Sequence, residues 1–295
     1  MSKRAQDIRI PATDGFELAA SLYEPPDATA SAPLVIVNSG TGIKRGYYGS
    51  FAAFLAEQGC PVVTYDYRGI GDSGPVKLSG FRAHMREWGE KDLAGVIEWA
   101  SGRFPGRALA AVGHSAGGQI VGLADNNSKL GALLFVAAQS GYWRLWPSPS
   151  RYRLSLIWFV AVPVLTGVFG YLPGWAGTGA SLPAGVAREW AEWCRREGYL
   201  VGGANSARRA GFSRLRVPIL SYSLADDTYA PRVAVESLLE LYTGGAKTLR
   251  HVEPAEVSAK TIGHFGFFKS RFRNTLWREA AEWLLSQGRA GQPAT

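Results

Sequence analysis

The sequence predicts an α/β protein with a mostly parallel central sheet and helices on both of its faces. Short apolar runs of strand length recur along the chain, at 33–40 (PLVIVNSG), 60–69 (CPVVTYDYRG) and 108–113 (ALAAVG). Segments with helical spacing of apolar residues separate these runs, and this alternation is typical of parallel sheets. The chain has 295 residues, enough for one large domain with an insertion.

The first half of the chain supplies most of the predicted elements. The segments DIRIPA and ELAASLYEP, separated by the turn Asp14–Gly15, predict a β-hairpin. A helix is expected over YGSFAAFLAEQG, which ends at Gly59, and another over WGEKDLAGVIEWASGRF. Further buried strands are predicted at 131–140 (GALLFVAAQS), 217–227 (VPILSYSLADD) and 247–254 (KTLRHVEP).

Residues 143–212 interrupt this alternation, because they are rich in aromatic residues, prolines and glycines but contain no clear strand. We predict a helical cap here, inserted into a core formed by 1–142 and 213–288, with a frayed tail at 289–295.

An uncharged run of 22 residues (154–175) lies in the predicted cap and is long enough to span a bilayer. Pro163, Gly167, Gly170 and Pro173 interrupt it, which favours an apolar cap over a membrane span. Such a cap would exclude water and line an apolar pocket. The alternative is that these apolar residues only pack the cap helices against one another. Contact of the cap with a membrane is less favoured than either.

Composition excludes several classes of function. The net charge is +8, but the basic residues do not alternate with aromatic ones in a nucleic-acid-binding module. Cys60 and Cys194 cannot form a disulfide framework, and no HExxH or Walker lysine motif is present. We therefore expect no metal, cofactor or nucleic acid. The first 15 residues lack the apolar stretch of a secretory signal, which predicts a cytoplasmic protein.

The motif GHSAGG provides the candidate nucleophile. It follows the predicted strand at 108–113 and precedes a helical stretch, GQIVGLADN. A strand, a tight glycine-flanked turn and a helix form the context of a nucleophile elbow. Ser115 would project its hydroxyl there beside the amide of Ala116. The alternative is a packing turn in a Rossmann-like sheet.

A nucleophilic serine needs a base and an acid to orient that base, and both are expected later in the chain. His264 lies in a glycine-flanked loop (TIGHFGFF) that we expect to precede a helix, whereas His251 lies in a predicted strand. A loop can bring an imidazole over the serine more easily, so His264 is favoured. Asp226 and Asp227 both follow a predicted strand. The position of Pro231 favours Asp227 as the acid that orients His264, and we expect Asp226 to cap the next helix or turn.

The turn NSGTG (38–42) follows a buried strand and can supply the second oxyanion donor, the amide of Thr41, beside that of Ala116. A phosphate-binding loop is the alternative reading. The sequence GTGIKRG is one residue too long for the dinucleotide fingerprint and does not open the first βαβ unit.

These motifs, together with DYRGIGDSG (66–74), resemble the α/β-hydrolase superfamily across nearly the whole chain. The resemblance is greatest to uncharacterised bacterial members near the serine aminopeptidase and lysophospholipase-like branch, which GYLPG and EWAEWCRREGY in the cap also resemble. Many relatives have His-Gly where this chain has Ser39–Gly40, which makes the role of Thr41 less secure. The resemblance implies the α/β-hydrolase fold, with a structural role for DYRGIGDSG.

The expected function is a serine hydrolase acting on a small carboxylic ester with an apolar acyl or alcohol group. The same triad could serve an acyltransferase, a thioesterase, a peptidase or a cofactor-free peroxidase, because substrate choice depends on the cap rather than on the fold. A non-catalytic, membrane-associated scaffold is the alternative from another class.

Overall fold

Apolar strands that are buried on both faces form the centre of the protein. The computed structural model describes residues 5–26 and 32–290. Every residue of the strand Leu34–Asn38 is buried, as is every residue of Val62–Tyr65 and Leu109–His114. Such strands need helices on both sides of the sheet, as the sequence predicts.

The sheet has eight strands. In chain order they are β1 (Gln6–Pro11), β2 (Glu17–Tyr23), β3 (Leu34–Asn38), β4 (Val62–Tyr65), β5 (Leu109–His114), β6 (Leu130–Val136), β9 (Ile219–Leu224) and β10 (Lys247–Val252). Their order in space is β1-β2-β4-β3-β5-β6-β9-β10. The hairpin β1–β2 is antiparallel, β2 pairs antiparallel with β4, and all the other pairs are parallel. The predicted α/β-hydrolase fold class is therefore confirmed.

The α-helices connect these strands. They are α1 (Gly49–Glu57), α2 (Ala94–Arg103), α3 (Ala116–Gln119), α4 (Ser150–Leu156), α5 (Val162–Phe169), α6 (Ala184–Arg195), α7 (Arg209–Ser213), α8 (Arg232–Leu239), α9 (Gly263–Gly266) and α10 (Leu276–Ala290). A π-helical turn, Ile157–Ala161, joins α4 to α5, so that Ser150–Phe169 is one continuous helix, here called the outer helix.

The segment between β6 and β9 contains the outer helix, α6 and α7. It also contains a two-stranded antiparallel sheet of β7 (Tyr171–Leu172) and β8 (Leu182–Pro183), where the sequence showed no clear strand. The outer helix packs one face on α6, where the rings of Trp158 and Trp190 lie 4.7 Å apart. The predicted division at residues 142 and 213 stays a prediction.

Two helices differ from the expectation. The helix after Ser115 ends at Gln119 rather than continuing over GQIVGLADN, and a 3₁₀ turn (Val121–Leu123) follows it. The ring of Phe212 lies so close to Gly122 that a Cβ there would come within 2.4 Å of it. The C-terminal helix begins at Leu276, although the apolar spacing extends back to Phe268. It continues to Ala290, and the remainder of the predicted frayed tail lies outside the described residues.

Candidate active site

Ser115 is the single residue between the end of β5 and the start of α3. Its backbone has φ 51° and ψ −118°, a conformation that costs a residue with a Cβ about 1–3 kcal/mol. Two hydrogen bonds hold this turn: the amide of Ser115 donates to the carbonyl of Val136 (3.0 Å), and the amide of Gly118 donates to the carbonyl of Ser115 (3.1 Å). The strained turn exposes part of the Ser115 side chain at the carboxyl edge of the sheet.

The glycines around Ser115 allow the strand and the helix to approach closely. A Cβ on Gly113 would lie 2.6 Å from the backbone of Gly118. A Cβ on Gly117 would lie 2.1 Å from the carbonyl oxygen of Asn38. Larger residues at either position would force β3, β5 and α3 apart, so the motif G-x-S-x-G has a packing reason here.

The imidazole of His264 bonds to Asp227. Its Nδ1 lies 2.7 Å from Asp227 Oδ2, and both side chains are buried. The other carboxylate oxygen, Oδ1, accepts hydrogen bonds from the amides of Tyr229 (2.8 Å) and Ala230 (3.0 Å), which fixes the carboxylate in place. Because Nδ1–H donates to Asp227, Nε2 carries the free lone pair that a general base needs.

Asp226 has a different task from its neighbour. Its two carboxylate oxygens accept hydrogen bonds from the amides of Ile262 (2.8 Å) and Gly263 (2.9 Å), which begin the one-turn helix α9. His264 therefore lies on a short helix rather than in the expected loop. Asp226 holds the backbone of this helix and Asp227 holds the imidazole, whereas we expected the second aspartate to cap the next helix or turn. The turn that follows is capped by Asp227 itself, through its bonds to the amides of Tyr229 and Ala230.

A buried chain of hydrogen bonds connects the turn after β3 to the backbone of His264. His114 Nε2 lies 2.9 Å from the carbonyl oxygen of His264, which can only accept, so Nε2 carries the proton. His114 Nδ1 then accepts from the Tyr48 hydroxyl (2.8 Å), and the Tyr48 oxygen accepts from the amide of Gly40 (2.8 Å). Burial, reinforced by the proximity of His264, holds the pKa of His114 well below its usual value.

Sequence reasoning missed this connection. The motif GHSAGG places His114 in the predicted elbow without giving it a role, and Tyr48 belongs to no motif. The position of His114 next to Ser115 was the one available signal, whereas its contact with Tyr48 joins residues 66 positions apart.

The turn at 38–42 lies directly beside Ser115. A Cβ on Gly40 would come within 3.5 Å of Ser115 Cβ and 3.2 Å of His114 Nδ1. Within residues 5–26 and 32–290, no backbone acceptor is bonded to the amides of Thr41 and Ala116. Neither amide is thus committed to another backbone group, and their role as oxyanion donors stays a prediction.

Within the same ranges, the Ser115 hydroxyl has no hydrogen-bond partner, and no hydrogen bond joins it to His264. Catalytic hydrogen bonds are often long in a free enzyme and tighten when substrate binds. The structure therefore contains an oriented imidazole and a free hydroxyl at one edge of the sheet.

A cavity of about 860 Å³ lies next to this turn. Gly42 and Phe265, the neighbours of Thr41 and His264, line it. Ile43, Tyr47 and Tyr171 add apolar and aromatic surface, so an apolar group can bind beside the candidate catalytic residues.

The other candidates lie elsewhere. His251 is on β10, where its Nδ1 lies 3.1 Å from Ser223 Oγ, and His84 is partly exposed beside Glu87. Cys60 is buried, which raises the pKa of its thiol to about 12 and leaves it unreactive. No cluster of His, Cys, Asp or Glu suited to a metal ion occurs in the part of the chain that the structure describes.

The charged residues of DYRGIGDSG form ion pairs. The Arg45 guanidinium bonds to Asp66 (2.6 Å) and Asp72 (2.7 Å). Arg68 bonds to Asp92 (2.7 Å) and, through two nitrogens, to Asp14. These contacts support the structural role that the sequence indicated for this segment.

Comparison with known proteins gives a family model and many solved structures. The model described as "Serine aminopeptidase, S33" matches residues 29–171. This match covers just under half of the chain and is a similarity to that family. No curated protein shows significant sequence similarity to this chain.

Three solved structures illustrate how far the similarity extends. DcsB, solved with a substrate analogue, is 18% identical with a TM-score of 0.65, over 98% of this chain and 100% of its own. Est1E from Butyrivibrio proteoclasticus, solved with ferulic acid, is 17% identical with a TM-score of 0.63, over 95% of this chain and 98% of its own. XC6422 from Xanthomonas campestris, a serine hydrolase without a lid, is 16% identical with a TM-score of 0.54, over 100% of this chain and 98% of its own. At these identities the comparison shows that the chain shares the fold of these three proteins.

Proposed function

We propose that this α/β hydrolase cleaves carboxylic esters through an acyl-enzyme intermediate. The observation that carries the proposal is the 2.7 Å bond between His264 Nδ1 and Asp227, next to a serine held on a strained turn. A buried imidazole in a defined tautomer is what a serine nucleophile requires.

Each residue has one task in the proposed reaction. His264 Nε2 removes the proton from Ser115 Oγ as this oxygen attacks the ester carbonyl carbon. The amides of Ala116 and Thr41 donate to the oxyanion that forms. Imidazolium then protonates the leaving alcohol, the ester C–O bond breaks, and the acyl group stays on Ser115. Water, deprotonated by the same imidazole, releases the acid and restores the serine.

The cavity beside the site favours a neutral or anionic substrate. Its lining includes Lys44 and Lys77 and contains no aspartate or glutamate. A substrate with a free amino terminus would bring an ammonium group next to these lysines with no carboxylate to pair with it. Although the matching family model is described as a serine aminopeptidase, this lining supports an ester with an apolar group in preference to an aminopeptidase substrate.

The test compares wild type with Ser115→Ala. We expect p-nitrophenyl esters of graded acyl length to be hydrolysed by wild type, with an optimum set by the cavity, and alanine p-nitroanilide to be cleaved far more slowly. Ser115→Ala should lose ester turnover and labelling by a fluorophosphonate probe. Ser50→Ala, at an exposed serine on α1, is the matched control and should behave as wild type. Persistent labelling of Ser115→Ala would contradict the assignment, and preferential cleavage of the anilide would favour a peptidase.

A further inference from the structure

The outer helix presents a continuous apolar face to solvent. Large side chains four residues apart lie on one side of an α-helix. The exposed members of this row are Tyr152 (58%), Leu156 (60%), Val160 (49%), Val164 (54%) and Val168 (72%). Phe159 and Phe169 widen the row, and beyond the helix end the exposed ring of Trp175 packs against Phe169, at 6.2 Å. We call these eight residues the outer face.

The opposite side of the same helix is fixed to the protein. Trp158, Val162 and Thr166 are buried, and the Arg188 guanidinium donates to Thr166 Oγ1 at 2.9 Å. The helix therefore lies flat on the molecule with its remaining apolar surface uncovered. It ends at Gly170, which has φ 76°, so the helix does not extend over the whole uncharged run.

Length and composition alone would let this helix cross a membrane, and because only 17% of its most apolar stretch is buried inside the protein it is not a core helix. A helix whose inner side is packed on its own domain cannot also be surrounded by lipid. An apolar face of this size on a soluble domain typically marks a binding surface. The geometry is that of a helix lying in the plane of a membrane surface.

Charge indicates which partner covers the outer face. From residue 126 to residue 188 the chain has no aspartate or glutamate, whereas it has one lysine and four arginines. The arginines near the start of the helix are Arg144, Arg151 and Arg153, and Arg144 and Arg153 are exposed. A second copy docked through the same face would offer these arginines no acidic partner from this segment. Anionic lipid headgroups would pair with them while the acyl chains cover the apolar row.

We propose that the outer face is a docking surface for a membrane containing anionic lipid. The helix lies half-immersed among the headgroups, with Trp175 and Tyr152 at the interface and the arginines on lipid phosphates. Tyr171, two residues after the helix end, lines the cavity beside the candidate active site. The docked protein therefore has the mouth of this cavity close to the lipid surface.

The test is sedimentation of the full chain with vesicles of phosphatidylglycerol mixed into phosphatidylcholine, and with vesicles of phosphatidylcholine alone. We expect binding to the mixed vesicles that weakens as salt is raised. Val164→Ser/Val168→Ser should weaken it by about tenfold or more, because both side chains lose apolar burial in lipid. Val233→Ser, at a similarly exposed valine on α8, is the matched control and should change binding by less than about twofold.

A second pair of substitutions tests the charge. Arg151→Gln/Arg153→Gln should reduce binding to the mixed vesicles by about tenfold or more and leave binding to phosphatidylcholine unchanged. Absence of binding to the mixed vesicles, or equal losses in Val164→Ser/Val168→Ser and Val233→Ser, would overturn the proposal. The proposal would also be overturned if the protein does not bind vesicles and analytical ultracentrifugation shows a dimer that Val164→Ser/Val168→Ser dissociates.

Discussion

The central strands and the outer helix use similar apolar sequences in opposite ways. Each residue of β3 and β5 is buried, because helices cover both faces of the sheet. The outer helix buries only the positions near Trp158, Val162 and Thr166 and leaves a row of large side chains exposed. Apolar composition alone thus does not determine burial. The number of neighbouring elements does.

The two regions also differ in their chemistry. All four histidines lie outside residues 143–212, as do the candidate nucleophile and the paired aspartates. Residues 143–212 provide apolar and cationic surface instead. The candidate catalytic residues thus lie at the edge of the sheet, and residues 143–212 contribute Tyr171 to the lining of the neighbouring cavity.

The largest expected effect is on ester turnover, and it distinguishes the two aspartates at the edge of the sheet. Asp227→Asn should lower ester turnover by about 10⁴-fold, because an amide at this position favours the wrong tautomer of His264. Asp226→Asn should lower it by only about tenfold, since that carboxylate holds the amides of Ile262 and Gly263 rather than the imidazole. Turnover of a p-nitrophenyl ester, or the rate of fluorophosphonate labelling, measures both.

Circular dichroism provides the control that both variants fold. Equal losses in the two variants would contradict the separate tasks assigned to these carboxylates. A larger loss in Asp226→Asn would exchange their roles.

The sequence predicted most of this edge because its signals are local. Buried strands and the turn around Ser115 follow from residues adjacent in the chain. Asp226 and Asp227 are adjacent as well. Pro231 favours Asp227, and the different tasks of the two carboxylates become visible in their partners in the fold, 36 and 37 positions away. The bond between Tyr48 and His114 is equally non-local, and no pattern in the sequence indicates it.

The outer helix shows the other limit. Its spacing predicts a helix with one inward side, but the same spacing fits a helix that is covered on both sides. The position of α6 determines which side of the outer helix is buried. The residues of the run 154–175 do not indicate where α6 lies. The outer helix directs its larger apolar row outwards, while Tyr171 of the same run lines the cavity beside the candidate active site.

Two ion pairs that differ in burial allow a smaller test of the same contrast. Asp92 is fully buried and bonds to the nearly buried Arg68, so Asp92→Ala should lower the free energy of unfolding by about 3 kcal/mol. Glu189 on α6 bonds to Arg86, whose side chain is 36% exposed, so Glu189→Ala should cost about 1 kcal/mol. Urea unfolding of both variants measures the difference, and equal costs would mean that the inserted segment is held as tightly as the core.

The smallest effect concerns His114 and pH. Its pKa in the folded protein lies well below the ordinary value near 6.5, so below that pH the unfolded chain binds a proton that the folded protein does not. Folding stability must then fall as the pH is lowered below about 6.5, by at most about 1.4 kcal/mol per pH unit, because one proton is involved. His114→Gln removes this titration, so its urea-unfolding free energy should fall less steeply than that of wild type over the same range. Residues 143–212 contain no histidine and contribute nothing to this difference. Parallel curves would show that His114 is protonated in the folded protein, which would break the chain of hydrogen bonds from Gly40 through Tyr48 to the carbonyl of His264.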